Sequence, residues 1–177
     1  TSLAKLDITS QVTNAHQFKF GVEFKSHKLS LHEFKVISEL RDRISPLSSF
    51  NNNKYTHQPI EFAAYLQDKI ELDYMIVNAG VRFDYFDSKG EVPVNFKEPQ
   101  TSPREAAKIA TQVSPRFGIA YPITDQGKIH VSYGHFFQIP KLENLYANPE
   151  FDIFELQSLT DPPPQSTLNI VGNADLQ

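Results

Sequence analysis

The chain has no cysteine, no tryptophan, a single methionine and only seven glycines in 177 residues. Without cysteine there is no disulfide framework, no thiolate metal centre and no Cys nucleophile. An excess of positive charge is lacking too: 17 basic residues stand against 21 acidic ones, for a net charge of −4. No basic cluster interrupts that balance, so the electrostatic footprint of a nucleic-acid binder is missing. No apolar run approaches the roughly 20 residues that a membrane-spanning helix needs. Strands remain free to cross a membrane, because alternating residues keep local hydropathy low. The opening TSLAKLDITSQV lacks the charged-then-apolar pattern of a signal peptide, which points to a mature or truncated start. Gly-rich phosphate loops, G-x-S-x-G and H-E-x-x-H are absent.

What the chain has is alternation and aromatic residues, with 14 Phe and 7 Tyr. The stretch 113–140, VSPRFGIAYPITDQGKIHVSYGHFFQIP, reads as two long strands around one tight turn. Phe117, Ile119 and Tyr121 alternate with Arg116, Gly118 and Ala120; Ile129, Val131 and Tyr133 alternate with His130, Ser132 and Gly134. Period-2 patterning puts each set on its own face of a sheet. Thr124-Asp125-Gln126-Gly127 supplies turn chemistry. An apolar face with bulky aromatics near both ends, backed by a polar or glycine face, suits a strand between lipid and a wet lumen.

The same pattern recurs along the chain. Residues 2–12 set Ala4, Leu6, Ile8 and Val12 against Lys5, Asp7, Thr9 and Gln11; residues 16–31 set Phe18, Phe20, Val22 and Phe24 against Lys19, Gly21, Glu23 and Lys25. On a helix those phenylalanines would scatter round the circumference, whereas on a strand they form one stripe. Strands are also expected near 60–71, 76–86, 113–122 and 128–138. Asp68 falls on the apolar face of its strand and suggests a bulge or an approach to the interface. Residues 34–57 and 87–112 read as loops, the first being longer than compact domains usually tolerate. Within the second, Ser102-Pro103-Arg104-Glu105 has the form of a capping box and predicts a short helix. One helical turn is expected near 141–146, and Asp161-Pro162-Pro163-Pro164 cannot join a ladder.

Connections therefore alternate between short and long. Six strands in three hairpins, with tight turns at one end and long loops at the other, predict an all-β antiparallel meander. It would be a segment of an outer-membrane β-barrel with short periplasmic turns and long extracellular loops. A β-sandwich would mix its loop lengths and seldom use strands beyond about 10 residues.

VNAGVRFDYFD at 77–87, VSPRFGIAYPI at 113–123, HVSYGHFFQIPKLENLY at 130–146 and the closing VGNADLQ at 171–177 resemble barrel segments of TonB-dependent receptors. The resemblance implies an outer-membrane barrel of about 22 strands enclosing a plug. Such a receptor imports a scarce nutrient (siderophore-iron, cobalamin or an oligosaccharide) using energy relayed by the TonB protein. Residues 1–177 are expected to be a partial barrel, without the plug domain, whose partners are outer-membrane lipid, the plug and the remaining strands.

Catalysis finds little support. Among the histidines His16, His27, His32, His57, His130 and His135, the pairs His27/His32 and His130/His135 have odd spacing, which puts each pair on opposite faces of a regular strand. Glu150 and Asp152 share a spacing but lie in an irregular stretch with no base or nucleophile nearby. No catalytic, cofactor-binding or metal-binding residue is assigned, and the substrate-binding residues are unknown. Lys19, Glu23, Lys25, Arg82, Asp84 and Arg116 face the lumen, where they pair with one another or with the plug, or line a substrate track. Phe18, Tyr74 and Tyr121 near the turns, with Tyr85, Phe86, Phe136 and Phe137 near the loops, are expected to form interfacial girdles. Tyr146, Phe151 and Phe154, beside Asp152 and Glu155, either contact a ligand or fold back as a loop cluster. A soluble β-rich binding or structural domain is the competing reading, and an enzyme barrel a third.

Overall fold

The computed structural model describes residues 1–34, 52–95, 102–124 and 126–146. The chain divides into two compact units, the first made of Thr1–Ser26, Ile60–Phe86 and Ile109–Gln138, the second of His27–Pro59, Asp87–Lys108 and Ile139–Gln177.

The first unit is built on a six-stranded sheet ordered β1-β2-β5-β6-β9-β10. Its strands are β1 (Ser2–Gln11), β2 (His16–Ser26), β5 (Ile60–Leu72), β6 (Met75–Asp87), β9 (Ala110–Pro122) and β10 (Lys128–Gly134). Each follows an alternating stretch, and three of them reach 13 residues. β1 and β2 pair from Ser2↔Ser26 to Gln11↔Gln17, and β2 and β5 from His16↔Ile70 to Ser26↔Ile60. Neither ladder slips, so Ala4, Leu6 and Ile8, Phe20, Val22 and Phe24, and Phe62, Ala64 and Leu66 all stay on one face. At the β1–β2 turn the Thr13 hydroxyl accepts from the Ala15 and His16 amides, at 3.3 and 3.1 Å. At the β9–β10 turn the Ile123 amide donates to the Gly127 carbonyl at 2.8 Å; Asp125 lies outside the described residues.

The second unit holds two small hairpins, each inserted in a long connection of the meander. β3 (Leu29–Phe34) pairs with β4 (Asn52–His57), and β7 (Glu91–Pro93) with β8 (Arg104–Ala106). It also carries a helix, α1 (Leu142–Tyr146).

Several expectations are corrected here. The strand expected over 16–31 stops at Ser26 and a separate one starts at Leu29; between them the His27 amide leaves the β2 ladder and donates to the Pro59 carbonyl at 3.0 Å. Asn52–His57, expected as loop, is a strand. The capping-box helix does not form. The Ser102 hydroxyl accepts from the Asn95 amide at 2.8 Å and the Pro103 carbonyl from the Val94 amide at 3.0 Å, so the serine caps a hairpin instead. The strand expected over 128–138 ends at Gly134. Its last link is the His135 amide, bonded to the Pro115 carbonyl at 3.2 Å. Asp68 sits in an unbroken ladder opposite Phe18, without a bulge. There its carboxylate meets His16 Nδ1 at 2.8 Å.

Candidate functional site

The register aligns apolar side chains into rows that cross several strands. Ile8, Phe20 and Leu66 stand side by side on β1, β2 and β5. Val77, Ile119 and Val131, then Ala79, Phe117 and Tyr133, do the same on β6, β9 and β10. These rows are bare: Ile8 is 50 % exposed, Leu66 49 % and Val131 63 %. A contiguous apolar surface of this extent marks an interface with a non-aqueous partner.

The opposite face is polar and locally satisfied. Lys25 bonds Glu23 at 2.7 Å and reaches Glu61 on the next strand at 3.5 Å. Arg82 Nε donates to Asp84 at 2.8 Å, and Gln67 to Asn78 at 3.5 Å. Asp7, Gly21 and Tyr65 occupy one register line across three strands. The Tyr65 ring lies over Gly21, and its hydroxyl donates to Asp7 Oδ1 at 2.8 Å. A Cβ at Gly21 would collide with both the ring and the carboxylate, so glycine is what lets a side chain bridge two strand spacings there. Lys5 completes the group, 3.0 Å from Asp7. Arg116 stands in register between Gly80 and Gly134, with its guanidinium 5.5 Å from the Phe136 ring centroid.

Of the residues expected in girdles, Tyr74 is exposed in its turn and Tyr121 lies on the apolar face. Phe86 departs from that expectation. It is one residue out of phase with Tyr85, hence on the polar face, and is only 4 % exposed. Its neighbour in sequence misled, because adjacent strand residues point to opposite sides.

In the second unit, aromatic side chains gather around a bend. The His57 and Tyr146 rings stack at 4.2 Å and 14°, with Tyr55 tilted against Tyr146 at 5.7 Å. The Tyr146 hydroxyl donates to the Ser88 carbonyl. His57 Nδ1 lies 3.3 Å from the Lys89 carbonyl; a carbonyl only accepts, so this nitrogen carries the proton. Burial first, then the Asp87 carboxylate and Tyr55, push the Tyr146 hydroxyl well above the usual phenol range. It therefore remains a donor at every physiological pH. Asp87 Oδ1 accepts from the Lys89 amide at 2.9 Å and Ser88 Oγ from the Gly90 amide at 3.3 Å, which ties the bend internally. Lys89 takes a left-handed φ of 51°. Lys54, Lys89, Arg104 and Glu91 surround a cavity of about 340 Å³ floored by this aromatic group. Sequence reasoning singled out Tyr146 and His57 but not the bend, whose parts come from three separate stretches.

The histidines disperse: His16 pairs with Asp68, His57 joins the ring stack, His135 Nε2 lies 2.7 Å from the Tyr133 hydroxyl, and His130 is exposed on the polar face. Among the described residues no three His, Asp or Glu side chains gather to hold a metal ion. Glu150, Phe151, Asp152, Phe154 and Glu155 lie outside the described residues, as does the 171–177 segment.

A family model for the TonB dependent receptor-like, beta-barrel matches residues 2–177. No curated protein and no solved structure matches the chain. Members of that family are outer-membrane transporters of nutrients, not enzymes. The unbroken meander, the bare apolar rows and the polar reverse face are the physical form of such a wall, and the chain belongs to the TonB dependent receptor-like, beta-barrel family.

Proposed function

We propose that the meander forms part of the wall of a receptor in a Gram-negative outer membrane, importing siderophore-bound iron, cobalamin or an oligosaccharide. Residues 1–177 act there as barrel, with no catalytic residue. A plug domain packs against the polar face, and the TonB protein supplies energy to the receptor. The observation that carries this reading is the set of apolar rows spanning the sheet, Ile8–Phe20–Leu66 and Val77–Ile119–Val131. In water such rows would need a second sheet to cover them. Among the described residues the other two sheets have only two strands each, too few to cover the larger one.

Lipid satisfies the rows directly, and a charge placed among them is penalised by depth. Phe20→Lys near the middle of β2 should destabilise the intact protein in lipid by about 2–4 kcal/mol. A urea titration in vesicles reads this. Unchanged stability, or cooperative folding of the protein as a monomer in buffer without detergent, contradicts the wall and favours a soluble β-rich domain.

A further inference from the structure

On the polar face of the six-stranded sheet, four cations each bring their own carboxylate, two positions along the same strand. Lys5 meets Asp7, Lys25 meets Glu23, Lys69 meets Glu71 and Arg82 meets Asp84, at 2.5–3.0 Å. Arg116 breaks this pattern. Its neighbours two positions away are Ser114 and Gly118, and its register partners are Gly80 and Gly134. Among the described residues no carboxylate pairs with it. It stands instead over the Phe136 ring, 5.5 Å from the centroid, an attraction of charge to π face that needs none of its N–H donors.

The surroundings leave room for an anion. Gly80, Arg116 and Gly134 form one row, and Asn78, Gly118 and Ser132 the next. The three glycines floor a trough of about 540 Å³ edged by Gln67, Asn78, His130 and Ser132. Glycine inside a strand marks places where another backbone or a ligand comes close. This trough lies open on one face of a sheet, so a small molecule in it would keep its outer side in water. Ligand pockets instead bury roughly 70–90 % of what they hold. The polar groups also come from four neighbouring strands, β5, β6, β9 and β10, which span roughly 14 Å. That reach suits a loop of a folded body, and Phe136, 77 % exposed, would be covered by the same body.

We infer that the trough docks an acidic loop of the plug, whose aspartate or glutamate forms a bidentate pair with Arg116 while its backbone rests on Gly118. The planar fork of a guanidinium matches the two oxygens of a carboxylate. Gln67, Asn78 and Ser132 offer amide and hydroxyl groups to the peptide units of the loop. The inference deepens the transport reading and rests on it, since the plug belongs to that reading.

The test uses the intact protein in detergent, free of nutrient. Arg116→Lys replaces the guanidinium with an amine, which a carbodiimide joins to any carboxylate in contact with it. Peptide mass spectrometry should find one cross-link from position 116, to an aspartate or glutamate of the plug. Adding Gly118→Leu should lower its yield at least five-fold by filling the trough. A Cβ at Gly118 meets its nearest atoms at 3.6–3.9 Å, ordinary contact, so that variant keeps the wall. Arg116→Gln should speed amide exchange in the cross-linked plug peptide at least five-fold. Absence of a cross-link, the result expected if the trough takes a soluble ligand, overturns the inference. So does a cross-link to a carboxylate of the wall or of residues 147–177, an undiminished yield with Gly118→Leu, or unchanged exchange in Arg116→Gln. Phe20→Lys separates the two claims, because a failed latch leaves its lipid penalty intact, whereas a failed wall removes that penalty whatever position 116 joins.

Discussion

At the scale of single residues, the informative positions are those where one side chain depends on another element's backbone. Gly21 is the clearest. Gly21→Val should cost about 1–3 kcal/mol through overpacking, because the Tyr65 ring and the Asp7 carboxylate already fill the space above it. A denaturant titration in lipid checks the loss, and Tyr65→Ala in the same protein should recover part of it. Tyr146→Phe removes the donor to a buried carbonyl at Ser88 and should cost about 1–3 kcal/mol of local stability. In amide exchange that corresponds to a loss of protection around 88–90 and 142–146 of roughly 5- to 150-fold. Lys89→Gly should act in the opposite sense, stabilising the bend by about 1 kcal/mol through relief of its left-handed backbone. Little at this scale was legible in the sequence. His16 and Asp68 are 52 positions apart, and Tyr65 and Asp7 are 58; nothing local marks either pair before the strands are in register.

At the scale of elements the record divides by length. The long strands β2, β5, β6 and β9 were legible because a stripe such as Phe18–Phe20–Val22–Phe24 fits only one period. The short ones were not. Asn52–His57 is polar on both faces and becomes a strand through its partner, with the Ser30 and Thr56 hydroxyls 3.3 Å apart across the pair. Arg104–Ala106 is three residues long and sits behind a serine that imitates a helix cap. That serine's hydroxyl could choose between a local amide and a distant one, and the hairpin supplied the distant one at Asn95. Orientation within an element also carries a prediction. Along β2 the penalty for lysine should be largest at Phe20, about 2–4 kcal/mol, and fall toward roughly 0–1 kcal/mol at the rims. Phe24→Lys, nearer the end of the strand, should therefore be much milder than Phe20→Lys in the same vesicle titration. Equal penalties at both positions would mean that the face packs on protein instead of lipid.

At the scale of the whole molecule, the two faces of the sheet divide the work. One presents hydrocarbon to hydrocarbon, and each added row extends the same surface. The other is laced by Lys25–Glu61 and Gln67–Asn78 across neighbouring strands and by Tyr65–Asp7 across two strand spacings, which suits a face in contact with water and a folded partner. The inserted hairpins and the helix add a separate unit with its own aromatic group. The wall was legible as a pattern because it repeats; the loop unit was not, because it is assembled from three stretches that share no period.

The central claim is that alternate residues of these strands face lipid and water. Residues 1–177 contain no cysteine, so thiols introduced among them make it directly measurable. Single cysteines at Phe20, Leu66, Val81 and Val131, and at Lys19, Gln67, Arg82 and Ser132, would be placed in the intact protein in an outer membrane. Each would be challenged with a membrane-restricted and a water-soluble thiol reagent. The account predicts that the first four react only with the membrane-restricted reagent and the second four only with the soluble one. Reaction of Phe20 and Val131 cysteines with the soluble reagent, at rates matching Lys19 and Ser132, would contradict it.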